Sequence, residues 1–313
     1  MATQTDRVLS VRALRKQFGS VEVLHNLNLE VTRGAIHGLV GLNGSGKTTT
    51  MECVLGMQPY NSGELRVMGR EPARIWQGRG DVVGIFDTPG VHSGLTVRQV
   101  LEHARLLCPT PHRTPARVEQ MLGISQYSKY KIRQLSLGNR RRVSIAHALL
   151  GKPAFIVLDE PFNGLDAGGV DDVLALILRL NKEEGTSFLL SSHQLAYLES
   201  ICTHMSILHH GRIALSSQLT DLFAADQSRL FIGCDDVGSA RQVINDVPGA
   251  SQIVEGDNSI SLTVPPGTAA SLNSLLVNRG IAVHELRTEK PGLDRIFQDI
   301  VNAPVPADCP EAQ

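Results

Sequence analysis

Two short stretches of this 313-residue sequence carry residues whose types and order suit phosphate chemistry. The first, Gly41-Leu42-Asn43-Gly44-Ser45-Gly46-Lys47-Thr48, fits the pattern G-x-x-x-x-G-K-S/T. Its glycines let the backbone curl so that successive N–H groups point at phosphate oxygens, and a helix that follows adds its positive N-terminal end. Asn43, Gly44, Ser45, Gly46 and Thr49 would then surround the phosphates. Lys47 would reach the β- and γ-phosphates, and the Thr48 hydroxyl would ligate Mg²⁺. The second stretch, Ala154-Phe155-Ile156-Val157-Leu158-Asp159-Glu160-Pro161, is an apolar run that ends in two carboxylates. Asp159 would hold Mg²⁺, mostly through water, and Glu160 is placed to polarise an attacking water as a general base. Alone, the two also read as a glycine-rich turn and as a strand ending in an acidic turn. Together they predict an enzyme that binds and hydrolyses ATP with Mg²⁺.

The elements around these stretches are of the kind that could hold them. Leu27, Leu29 and Val31 alternate as on a half-buried strand. Residues 35–40 read as a buried strand running into the glycine loop, with a helix from 48 to about 55. A buried strand over 154–158, a helix over 170–183 and a strand over 187–191 follow. Such alternation predicts an α/β domain with a largely parallel sheet. Between about 95 and 150 the character is helical, with Val97, Val100, Leu101 and Ala104 at helix spacing. This reads as a helical insertion, with a proline-rich loop over 109–115. After about residue 225 the order becomes βαββαβ, with a turn at Gly256-Asp257-Asn258, which suggests a small ferredoxin-like α+β domain.

With these elements placed, the chain resembles the ABC ATPase family, and further motifs appear in the family's order. Leu135-Ser136-Leu137-Gly138-Asn139 stands where the signature LSGGQ would be, Asn163-Gly164-Leu165-Asp166 looks like the D-loop, and His193 matches the switch histidine. Phe18 is where the family places an aromatic ring against adenine. The resemblance spans roughly residues 7–217. It implies a P-loop cassette with a parallel-sheet core, an antiparallel β subdomain and a helical insertion. It further implies a head-to-tail dimer, with itself or a paralogue, that sandwiches two ATPs. Lys47, Thr48, Asp159, Glu160 and His193 would come from one subunit, and Ser136 and the Gly138 N–H from the other.

The sequence departs from the family at two places. Asp87 takes the position of the usual glutamine, where it would face Mg²⁺ and the γ-phosphate, and Leu137 and Asn139 replace glycine and glutamine in the signature. Both departures are similar to the bacitracin- and lantibiotic-type exporter subgroup, and Gly292-Leu293-Asp294-Arg295-Ile296-Phe297 resembles an ending of ABC-2-type exporter ATPases. Arg140, Arg141 and Arg142 read either as a solvated helix face or as help for a partner's nucleotide.

The expected domains are residues 1–222 (cassette, helical part about 88–150), 223–303 (accessory domain) and 304–313 (a disordered tail). Hydrophobic and charged contents of 42% and 19% are those of a globular protein, and a net charge of -1 gives no general reason to expect nucleic acid. The five cysteines, Cys53, Cys108, Cys202, Cys234 and Cys309, show no C-x-x-C spacing, which argues against a zinc site or disulfide framework. No apolar run approaches the roughly 20 residues of a membrane span, and the N-terminus has no secretory character. The expectation is therefore an exporter ATPase, peripheral on the cytoplasmic face of the membrane, that drives a separate polytopic permease and moves a peptide antibiotic, drug or amphiphile. The alternatives are a soluble ABC ATPase, an importer subunit and a non-hydrolysing sensor.

Overall fold

The computed structural model describes residues 6–86, 90–224, 228–265, 267–289 and 293–302. Contacts within the chain separate a first unit that ends at Leu219 from a second, Thr220–Asn302, where the sequence suggested a boundary at 222/223.

The first unit opens with two long antiparallel strands, β1 (Arg7–Phe18) and β2 (Val21–Thr32). In β2 the side chains of Leu27, Leu29 and Val31 are buried while Asn26, Asn28 and Glu30 face solvent, the expected period of two. β3 (Ile36–Val40) is buried throughout and runs through the glycine loop into α1 (Lys47–Val54). β4 (Ser62–Val67) turns back onto β1 to complete a three-stranded antiparallel sheet, β2-β1-β4.

After β5 (Val82–Ile85) comes the helical insertion: α2 (Val97–Leu107), α3 (Pro115–Met121) and α4 (Leu137–Ala148). Val97, Val100, Leu101 and Ala104 of α2 are all buried. Thr96 and Gln99 close a reciprocal capping box at its start, which satisfies two otherwise free backbone donors. Pro115, read from sequence as the end of a loop, is instead the first residue of α3. Its missing N–H costs nothing there and its fixed φ suits a helix start.

The chain returns to the core as β6 (Phe155–Leu158), α5 (Ala167–Glu184), β7 (Ser187–Ser191), α6 (Leu195–Ile201), β8 (His204–His209) and β9 (Arg212–Gln218). α5 begins three residues before the expected start because the Asp166 carboxylate accepts from the Gly169 N–H and caps it. The second sheet runs β5-β6-β7-β3-β8-β9, parallel except for β9. Every residue of β3, β6 and β7 is buried, as expected of parallel strands covered on both faces. Each fully buried Leu, Ile, Val or Phe there contributes about 1.5–3 kcal/mol by leaving water. This order sets the carboxyl ends of β6, β7 and β3 side by side.

The second unit opens within α7 (Leu219–Ala224) and continues as β10 (Ser228–Cys234), α8 (Val237–Asn245), β11 (Ser251–Gly256), β12 (Ser259–Val264), α9 (Thr268–Asn278), β13 (Val283–Glu289) and α10 (Leu293–Val301). Its antiparallel sheet, β11-β12-β10-β13, has the ferredoxin-like order. The helices close over Leu230, Ile232, Ile260, Leu262, Leu272 and Leu276. The expected tail, 304–313, lies outside the described residues.

One imidazole is buried inside the main sheet. His37 of β3 is buried, stacks on His204 with ring centroids 5.9 Å apart, and shares a hydrogen bond of 2.8 Å with the Ser206 hydroxyl. Burial, helped by repulsion from His204, lowers its pKa from 6.5 to about 3. Between these values the unfolded chain binds a proton here that the folded chain does not, so stability falls as pH falls through that window. We expect urea unfolding at pH 7 and pH 4.5 to differ less for His37→Gln than for the wild type; an equal difference would refute this role.

Candidate active site

The site forms where the carboxyl ends of β3, β6 and β7 meet, at the mouth of a cleft of about 530 Å³. Open α/β sheets bind ligands at this edge because the loops leaving the strand ends converge there. From β3 the chain enters the glycine loop. Gly44 and Gly46 have φ of 80° and 106°, a region that glycine enters without steric cost. The loop is held from outside by the Gly211 N–H, which donates to the Ser45 carbonyl at 3.2 Å. Gly41 has no room for a side chain, since a Cβ would lie 2.4 Å from Ser45 Oγ and 2.5 Å from the Leu208 carbonyl.

Lys47, the first residue of α1, folds back so that its ammonium donates to the Gly41 and Leu42 carbonyls at 2.8 and 3.2 Å. Burial lowers its pKa, while Glu160 and Asp159 oppose that shift. Thr48 donates from Oγ1 to Asp159 Oδ2 at 2.8 Å, and Ser191, the last residue of β7, donates to Asp159 Oδ1 at 2.5 Å. Asp159, just beyond β6, is 4% exposed. Both its oxygens are therefore held, one by the glycine-loop helix and one by the neighbouring strand.

Glu160 is placed by its backbone as much as by its side chain. Its φ is 48°, a left-handed conformation that costs a residue with a Cβ about 1–2 kcal/mol and persists only where the surroundings fix it. Its N–H donates to Ser191 Oγ at 2.9 Å. The carboxylate turns towards the cleft and accepts from His193 Nδ1 at 3.0 Å, with His193 half-exposed at the rim.

The expected site residues fall into four groups. Asn43, Gly44, Gly46, Lys47, Thr48, Thr49, Asp159, Glu160 and His193 all line the cleft. Ser45 sits in the loop with its hydroxyl buried and no protein partner among the described residues. Phe18, Ser136 and Gly138 do not line it. Phe18 ends β1, 43% exposed, with the Lys16 ammonium 4.3 Å from its ring centroid. Ser136 caps α4 by accepting from the Asn139 N–H at 3.3 Å. Gly138 packs against the Gly164-Leu165 turn, where a Cβ would lie 3.0 Å from the Gly164 carbonyl. Leu137 fills the space over Gly164, so this departure from glycine fastens the signature turn to the loop after β6. Asp87 lies outside the described residues.

Two residues that organise the site were missed from sequence. Ser191 was read only as a strand end, although it bridges Asp159 and Glu160. Arg141 was read as part of a solvated face or a nucleotide contact and is instead 1% exposed. It donates to the carbonyls of Phe86 at 2.5 Å, Asp159 at 3.3 Å and Glu160. Arg140 bonds the carbonyls of Leu135 and Arg133, while Arg142 bonds the Leu122 carbonyl and pairs with Asp172 on α5. The signal for Arg141 was its place four residues before the buried Ile145, on the apolar stripe of α4.

Residues 24–163 match the ABC transporter family model. The bacitracin transport ATP-binding protein BcrA of Bacillus licheniformis is 29% identical over 302 residues, covering 94% of this chain and 97% of its own. The lantibiotic transport ATP-binding protein SrtF of Streptococcus pyogenes is 29% identical over 213 residues, 67% of this chain and 91% of its own. A solved ATP-binding subunit of an ABC transporter superposes with a TM-score of 0.63 at 27% identity, covering 69% of this chain and 91% of that one. Residues 24–163 of the chain therefore form an ABC transporter domain. Over nearly its whole length the chain is similar to bacitracin transport ATP-binding proteins, and over its first two thirds to a lantibiotic transport ATP-binding protein.

We expect Gly41→Ala to lower ATP affinity by roughly tenfold or more, since overpacking of this kind costs about 1–3 kcal/mol. Equilibrium binding of a fluorescent ATP analogue measures it, and wild-type affinity would show that the loop is not confined as described.

Proposed function

We propose that this chain powers export of a peptide antibiotic or similar amphiphile through a separate polytopic membrane subunit, from the cytoplasmic face of the membrane. Among the described residues no helix is long and apolar enough to cross a bilayer. The bacitracin and lantibiotic transport relatives support the class of cargo. The nearly full-length match to BcrA, which extends through the second unit, favours this reading over an importer or a soluble ATPase.

The observation that carries the enzymatic part is the hydrogen-bonded run from Thr48 through Asp159 and Ser191 to Glu160 and His193. Thr48 Oγ1 and Asp159 Oδ2 are hard oxygens at the cleft where the phosphates would lie. Mg²⁺ takes one or two such protein oxygens and fills its shell with phosphate and water, so the pair fits the ion. Bound there, it would neutralise charge on the β- and γ-phosphates. Lys47 would exchange its contacts with the loop carbonyls for phosphate oxygens. Glu160 would accept a proton from water as its oxygen attacks the γ-phosphorus; the bond to the β,γ-bridging oxygen breaks, releasing ADP and phosphate. His193, donating from Nδ1, would hold the Glu160 carboxylate towards that water. Ser136 and Gly138 lie outside this cleft, which fits their use on the nucleotide of a second cassette, a copy or a paralogue, in a head-to-tail dimer. ATP would then favour the closed pair and hydrolysis would release it.

Glu160→Gln should lower kcat by about 100- to 10,000-fold with ATP still bound; turnover at the wild-type rate would remove Glu160 as the base. Affinity purification of the tagged chain from solubilised host membranes should recover a polytopic partner in stoichiometric amount. Recovery with ribosomes, or alone in the soluble fraction, would contradict the exporter reading.

A further inference from the structure

The buried guanidinium of Arg141 joins the helical insertion to the loops that leave β5 and β6. It stands on α4, one turn and a half from Ser136 at the N-cap of the same helix. Three carbonyls that it bonds among the described residues belong to the other side. Phe86 follows the end of β5, and Asp159 and Glu160 follow the end of β6. The bond to the Glu160 carbonyl bears on the residue whose backbone is left-handed. With the Ser191 hydroxyl on the Glu160 N–H, the residue is held at both of its peptide units, one hold from the sheet and one from the helical insertion. A planar guanidinium offers five donors in a fixed fork and can serve several carbonyls at once; an ammonium or an amide cannot do so from the same position.

We infer that Arg141 is a positioning residue for hydrolysis: it fixes the Glu160 backbone so that the carboxylate points into the cleft, and it ties that aim to the position of the signature helix. The inference rests on Glu160 acting as the base. A displacement of α4 relative to β6 moves the donor set that holds Glu160. The catalytic carboxylate is then in place only when the signature turn is also in its docked position.

The test is a double-mutant cycle on the full chain, with steady-state ATPase kinetics and equilibrium binding of a fluorescent ATP analogue. Arg141→Gln should lower kcat on the order of 10- to 100-fold, the scale of a misaimed catalytic group, with KM and nucleotide affinity within about twofold of wild type. Arg141→Lys, which keeps the charge and loses the fork, should recover only part of the loss. In the Glu160→Gln background, adding Arg141→Gln should leave the residual rate unchanged, because the group it positions is already gone. A fall by the same factor in both backgrounds, or a parallel loss of kcat and ATP affinity, would overturn the inference while leaving Glu160 as the base. Glu160→Gln turning over like the wild type would overturn both. Should Arg141→Gln fail to fold, Arg141→Lys run through the same cycle decides, since its loss of kcat must likewise vanish without Glu160.

Discussion

The carboxylate of Asp159 holds the site together. One oxygen takes the Thr48 hydroxyl from the glycine-loop helix and the other takes the Ser191 hydroxyl from β7. Three adjacent parallel strands are joined at their carboxyl ends through a single buried side chain. A carboxylate 4% exposed is tolerable only when its oxygens are hydrogen-bonded, and the bonds that satisfy it are the same ones that register the loop against β6. Ser191 then passes the constraint on, accepting the Glu160 N–H while donating to Asp159. The glycine loop, the Thr48 and Asp159 oxygens and the Glu160 carboxylate are thereby set relative to one another.

The fully buried β3, β6 and β7 provide the rigidity this arrangement needs. The helical insertion attaches to that core through Arg141 and through Leu137 seated over Gly164. Both contacts meet the loop after β6 and both come from α4, the helix that starts at the signature. A single side chain, Arg141, therefore connects α4 directly to the Glu160 backbone. The second unit encloses its own apolar core.

Much of this was legible in the sequence where local physics dominates. The glycine pattern specified a loop with left-handed positions, and Gly44 and Gly46 occupy them. The stripe Val97, Val100, Leu101 and Ala104 specified the buried face of α2. β1 was harder to read because alternation fails along it. Ala13, with φ of 47°, opens a bulge and the register shifts between Val11 and Leu14, so buried residues fall out of period. Ser191 and Arg141 were illegible for a different reason. Their roles depend on partners more than 30 residues away in the case of Ser191 and up to 55 in the case of Arg141. Only the packing of α4 against the sheet turns an arginine in a basic run into a buried clamp.

The measurement closest to the centre of this account is the turnover of Ser191→Ala, with ATP affinity followed in parallel. Removing the hydroxyl frees one oxygen of Asp159 and the Glu160 N–H while leaving the glycine loop intact. Such a loss costs about 1–3 kcal/mol. The account predicts kcat lower by roughly tenfold or more with ATP binding little changed. Wild-type turnover in Ser191→Ala would contradict it, because the base would then be aimed by something other than the bridge between β6 and β7.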